Sequence, residues 1–134
     1  MACPSPPPST PPPPAPRPEP REPDYLALGA EADGVLAGWI CWGPTPCTVG
    51  TYDLYWIVVD PDHQGRGLGG ALLGAMEGRL PPAARLVVVE TAGRPDYGPS
   101  RRFYEAHGYR RAATIPDFYA PGDDLVVYTK AIRP

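Results

Sequence analysis

The chain has 134 residues, a formal charge of −3 and a hydrophobic fraction of 43%. That length suits one domain, and the negative charge argues against a general nucleic-acid binder. No stretch approaches a membrane span, and the N-terminus lacks the apolar core of a secretory signal, so the expectation is a cytoplasmic protein with neither a membrane nor a nucleic acid as partner.

Residues 1–23 are of low complexity. The run Pro6 to Pro14 cannot form a helix or a central strand and carries almost nothing to bury. A disordered, proline-rich segment is expected there, locally polyproline II. Cys3, Cys41 and Cys47 contain no CxxC pair, so neither a disulfide framework nor a metal site is expected, and idle thiols in a reducing compartment are the default.

Order is expected from residue 24 to the end. Tyr25 to Ala32 reads as a strand, Asp33-Gly34 as a two-residue turn, and Val35 to Trp42 as its antiparallel partner. Gly43 to Gly50 is a loop. Tyr52 to Val59, rich in aromatic and β-branched residues, is the next strand, and Asp60-Pro61-Asp62-His63 is a turn. From about Gly67, the residues Leu68, Ala71, Leu72, Ala75 and Met76 fall at helical spacing, and Pro81-Pro82 stops that helix. Arg85 to Thr91 is a continuous apolar run, as in a buried strand, followed by a loop from Ala92 to Pro99. Ser100 to His107 is a short helix with Gly108 as its left-handed terminator. Tyr109 to Ile115 and Asp124 to Ile132 are strands around a connection from Pro116 to Asp123. The order implies an α+β fold: a mixed, mostly antiparallel sheet with a central parallel strand–helix–strand unit of right-handed crossover.

The organising stretch is the strand ending in Val59-Asp60-Pro61, the glycine-rich loop from Gln64 to Gly70, and the helix it opens. Such a junction aims backbone N–H groups and the positive end of a helix dipole at one spot, where an anion can sit. The dinucleotide fingerprint G-x-G-x-x-G does not fit the spacing of Gly65, Gly67, Gly69 and Gly70. The triphosphate loop needs Gly-Lys-Ser/Thr, and the only lysine of the chain is Lys130. What fits is Gln64-x-x-Gly67-x-Gly69 after a strand, which resembles the acetyl-CoA loop of the GNAT family of N-acetyltransferases. A second stretch, Phe103-Tyr104-Glu105-Ala106-His107-Gly108-Tyr109, resembles that family's second signature, a tyrosine followed by Glu-x-x-Gly-aromatic.

The resemblance covers roughly residues 24–132 and implies an acyl-CoA N-acyltransferase-like fold and acetyl-CoA as cosubstrate, with no metal. It implies that the loop amides of Gln64, Gly65, Arg66, Gly67, Leu68, Gly69 and Gly70 hold the pyrophosphate and that the backbone of Ile57, Val58 and Val59 pairs with pantetheine. It implies the reaction too: transfer of an acetyl group to a primary amine of a small molecule or peptide by direct attack. The amine must lose a proton and the leaving thiolate should gain one. Tyr104 is the candidate acid; core packing beside Phe103 is its other reading. Glu90, ending the apolar run, is the candidate base, since desolvation there would make its carboxylate more basic. A strand-end Glu hydrogen-bonded to loop amides is the alternative.

Several features depart from the family pattern or stay open. An Asn often found seven residues before the tyrosine is Tyr97 here, and either Asp96 or Tyr97 is left to take its coenzyme contact. His63 and His107 are read as surface features without a role, and Arg101 and Arg102 as a solvated helix face. Tyr52, Tyr55, Trp56, Phe118 and Tyr119 are candidates for an acceptor groove. The family opens with a strand and helices where this chain has prolines. A domain truncated at its front, with the edge at Tyr25 to Ala32 exposed and a tendency to self-associate as a homo-oligomer, is therefore expected. A catalytically weak acyl-CoA-binding remnant is the competing reading.

Overall fold

The computed structural model describes residues 23–132, so the expectation of a disordered segment over residues 1–23 lies almost wholly outside the described residues. Among the described residues the chain runs β1 (Leu26–Ala32), β2 (Val35–Pro44), β3 (Thr51–Val59), α1 (Leu68–Gly78), β4 (Leu86–Ala92), α2 (Gly98–Ala106), β5 (Arg110–Ala120) and β6 (Asp123–Ala131). The strands form one sheet in the order β1-β2-β3-β4-β6-β5. Every pairing is antiparallel except β3–β4, which α1 connects as the expected crossover unit.

Local chemistry accounts for most boundaries. Asp33 and Gly34 both take positive φ, 54° and 78°, as a two-residue hairpin turn matched to strand twist requires. Gly108 takes φ 88° directly after α2, the left-handed stop expected of it. The buried face of α1 is Leu72, Leu73 and Met76; Ala71 and Ala75, expected on it, are exposed. Their methyl groups offer little area to bury, so the larger Leu73 sets the orientation instead. One core cluster joins these residues to Ile40, Trp42, Leu54, Val87, Val89, Tyr104, Tyr109 and Tyr128. Glu77 of α1 ties the far end together: its carboxylate accepts from Tyr109 at 2.8 Å and from Lys130 at 2.9 Å.

Two expectations need correction. β5 does not stop at Ile115 but continues to Ala120, with its register broken between Ile115 and Ala120. Pro116 is tolerated because β5 is the sheet's outer strand, where a missing N–H breaks no ladder on the open side. At the cysteines, Cys41 is a buried free thiol, but Cys47 is disulfide-bonded.

The feature that positions the site is a bulge. On β2, Cys41 pairs with Trp56 and the next residue, Trp42, pairs with Leu54, leaving Tyr55 of β3 without a partner. An inserted residue bends its strand and increases local twist. The parallel pairing of β3 with β4 runs only from Thr51–Leu86 to Leu54–Val89, so it ends where the bulge begins. Beyond it, β3 stays on β2 while Glu90 to Ala92 of β4 stay on β6. The two central strands therefore part, and β3 from Tyr55 to Val59 presents an open backbone edge toward the gap.

The opposite margin is described from residue 23 onward. β1 is the other outer strand, and Leu36, Trp39, Trp56 and Val58 nearby are exposed.

Candidate active site

Two cavities line the two arms of the gap. The larger, about 610 Å³, lies against β3, the loop and both helices. Its walls include Ile57, Val59, Gln64, Gly65, Gly67, Leu68, Gly69, Gly70 and Tyr104, and no carboxylate among the described residues lines it. The loop entering it is built in steps. Asp60 caps the Pro61–His63 turn by accepting from the Asp62 amide at 3.1 Å, and the Gln64 side chain bonds back to the Val59 carbonyl at 3.3 Å. Gly67, at φ 78°, turns the chain into α1. The Ala71 amide reaches the Gly67 carbonyl at 3.0 Å. The amides of Leu68, Gly69 and Gly70 precede that first helical bond and are the open donors of the N-terminus. A Cβ on Gly70 would sit 2.7 Å from Nε2 of His107. Absence of a side chain there lets α1 and α2 close to form the cavity wall.

Tyr104 is held in place by rings. Phe103, Tyr109 and Tyr128 lie 5.3, 5.7 and 6.3 Å from it, centre to centre. It is only 6% exposed, its hydroxyl bonds to no other described residue, and burial pushes its ionisation up to about 12. Core packing and a place at the cavity wall are thus both true of Tyr104.

Other candidates fall elsewhere. Glu90 and Tyr97 line the second cavity, about 320 Å³, with Thr91, Ala92, Arg94, Tyr119 and Asp123; Tyr97 is not brought to the larger one. Glu90 is exposed, so the expected desolvation of its carboxylate does not occur: its side chain leaves the core at the point where β3 has departed. Val58 faces away and is 47% exposed. Arg66 turns from the cavity to Asp33 of the β1–β2 turn, at 3.0 Å. Arg101 is not a solvated residue: it donates to the Ala92 and Arg94 carbonyls at 2.7 and 2.8 Å, fixing the loop before α2. Tyr52 is buried in the core and lines neither cavity.

His63 departs from the surface placement expected of it, and His107 is half-buried. His63 is buried, with Asp33 and Asp60 oxygens 3.4 and 3.6 Å from its ring nitrogens. His107 stacks on Phe103 at 4.5 Å and bonds through Nδ1 to the Phe103 carbonyl at 2.8 Å. Both line the larger cavity. The signal for His107 was its four-residue spacing from Phe103; nothing local marked His63.

The acetyltransferase (GNAT) family model matches residues 1–109. A Desulfovibrio desulfuricans protein assigned to the GNAT acetyltransferases is 43% identical, with a TM-score of 0.79 over 82% of this chain and 71% of its own. The Escherichia coli ribosomal-protein-S18-alanine N-acetyltransferase shares the fold at 23% identity, with a TM-score of 0.71 over 83% and 71% of the two chains. A GNAT acetyltransferase from Elizabethkingia anophelis, solved with acetyl-CoA bound, does so at 16% identity, with a TM-score of 0.69 over 81% and 76%. No curated protein matches the chain significantly. Among the described residues no helix is long and apolar enough to cross a membrane, and no group of side chains could hold a metal ion. Its family match and its 43% identical relative place this chain in the GNAT acetyltransferase family.

Proposed function

We propose that the protein transfers an acetyl group from acetyl-CoA to a primary amine of a small molecule or peptide by direct attack. The observation that carries this reading is the convergence on one cavity of the open loop amides, the parted edge of β3 and the Tyr104 ring. The substrate's chemistry suits the walls. Pyrophosphate takes the amides of the Gly65 to Gly70 loop at the positive end of α1, and no wall carboxylate among the described residues repels it. Pantetheine, an amide chain, pairs with the open edge of Ile57 to Val59. The thioester then lies in the gap between the cavities.

Glu90, across the gap on β4, takes a proton from the amine directly or through a water. The freed nitrogen attacks the carbonyl, a C–N bond forms, and collapse breaks the C–S bond. Tyr104 donates to the departing sulfur. A thiol ionises near 8.5, well below the value of about 12 for this phenol. Tyr104 therefore keeps its proton and serves as a neutral hydrogen-bond donor that stabilises the thiolate, which is protonated from solvent.

Release of coenzyme A measured against a panel of alkylamines and peptides tests the reading. Amine-dependent release supports it. Tight acetyl-CoA binding without amine-dependent release would favour the acyl-CoA-binding remnant.

A further inference from the structure

The second cavity has a chemistry of its own. Glu90 enters it from β4 and Asp123 from the start of β6, while Tyr97 and Tyr119 supply aromatic surface. Asp123 has 14% of its side chain exposed, and its Oδ1 is buried without a hydrogen-bond partner among the described residues. The nearest cation is Arg94, whose Nε is 3.8 Å from Asp123 Oδ2 but closer, at 3.4 Å, to Asp96, with its guanidinium 5.0 Å over the Tyr97 ring. One guanidinium thus stands among three carboxylates, and its flat face is spent on a ring. Partial burial, with Glu90 and Asp123 nearby, pushes the Tyr119 hydroxyl up. A buried carboxylate oxygen without a donor, next to aromatic faces, is a place for a cation.

Resting on the reaction proposed above, we infer that the acceptor carries a second ammonium group besides the reacting amine, held in this cavity by Asp123 and the face of Tyr119. Glu90, the proposed base, faces the reacting nitrogen, and Asp123 faces the remote one. Diamines and polyamine-like molecules fit this arrangement; a monoamine leaves Asp123 unpaired.

The test compares diaminoalkanes of three to six methylenes with monoamines of the same length, as ratios of kcat/KM. The best diamine is expected to exceed its monoamine by about tenfold or more, the worth of one charged hydrogen bond. Asp123→Asn should bring that ratio toward one without changing KM for acetyl-CoA. Tyr119→Leu, at a half-exposed position, should lower it as well. Equal ratios in the parent, or a preference that survives both substitutions, would overturn the inference and leave the proposed reaction standing. Absence of turnover with every amine would instead overturn that reaction. Calorimetry of the diamine against the coenzyme A-loaded protein would then decide the cation site alone: Asp123-dependent binding upholds it, and no binding overturns it.

Discussion

Gly67 gives the sharpest handle on the coenzyme loop. Its φ of 78° is left-handed, and a Cβ placed on it meets nothing within 4 Å. Gly67→Ala therefore creates no clash and costs only the left-handed strain, about 1–2 kcal/mol, which falls on the free and the bound protein alike. Gly67→Asp adds the same strain plus a negative charge facing the pyrophosphate. Two unit charges about 4 Å apart repel by about 4 kcal/mol at an effective dielectric of 20. Salt and the openness of the loop screen about half of that, leaving about 2 kcal/mol, or thirtyfold in Kd. Isothermal titration with acetyl-CoA should show near-parental affinity for the alanine variant and about thirtyfold weaker binding for the aspartate variant. The gap between the two should narrow at high salt. Undiminished affinity in a cooperatively folding Gly67→Asp protein would refute the placement of the pyrophosphate.

Three more outcomes follow from the geometry. Glu90→Gln, which keeps size and removes the base, should lower kcat by about a hundredfold with acetyl-CoA binding intact; stopped-flow coenzyme A release measures it. Tyr104 ionises near 12 when folded, against 10 in the unfolded chain. It therefore contributes stability that is full below pH 10 and lost as pH rises through 12, about 2–3 kcal/mol in all. Denaturant melts of Tyr104→Phe should fall less steeply across that window than those of the parent. Glu77→Ala strands the Tyr109 hydroxyl and the Lys130 ammonium, and a loss of about 2–4 kcal/mol is expected by calorimetry.

What was legible in the sequence was local. The Asp33-Gly34 turn, the glycine loop opening α1 and the Gly108 stop each depend on residues within a few positions, and composition alone marks them. What was hidden depends on partners far along the chain. The bulge at Tyr55 exists only in the register of β3 against β2, and nothing in Leu54-Tyr55-Trp56 announces it. His63 is buried because Asp33, thirty positions earlier, comes to lie beside it. Glu90 looked like the end of a buried strand, but β3 leaves β4 at that point and uncovers it. The candidate site divides the same way: the loop and Tyr104 were readable as motifs, whereas the second cavity is assembled from β4, the segment before α2, and both strands of the last hairpin.

Single-turnover acetyl transfer by Tyr104→Phe, run beside an acetyl-CoA titration of the same protein, tests the proposed chemistry most directly. The expected result is unchanged acetyl-CoA affinity, because the ring and its packing remain, with transfer to the amine slowed by about two to three orders of magnitude, the loss of one donor to the developing charge. Transfer at the parental rate would contradict the role given to the buried phenol.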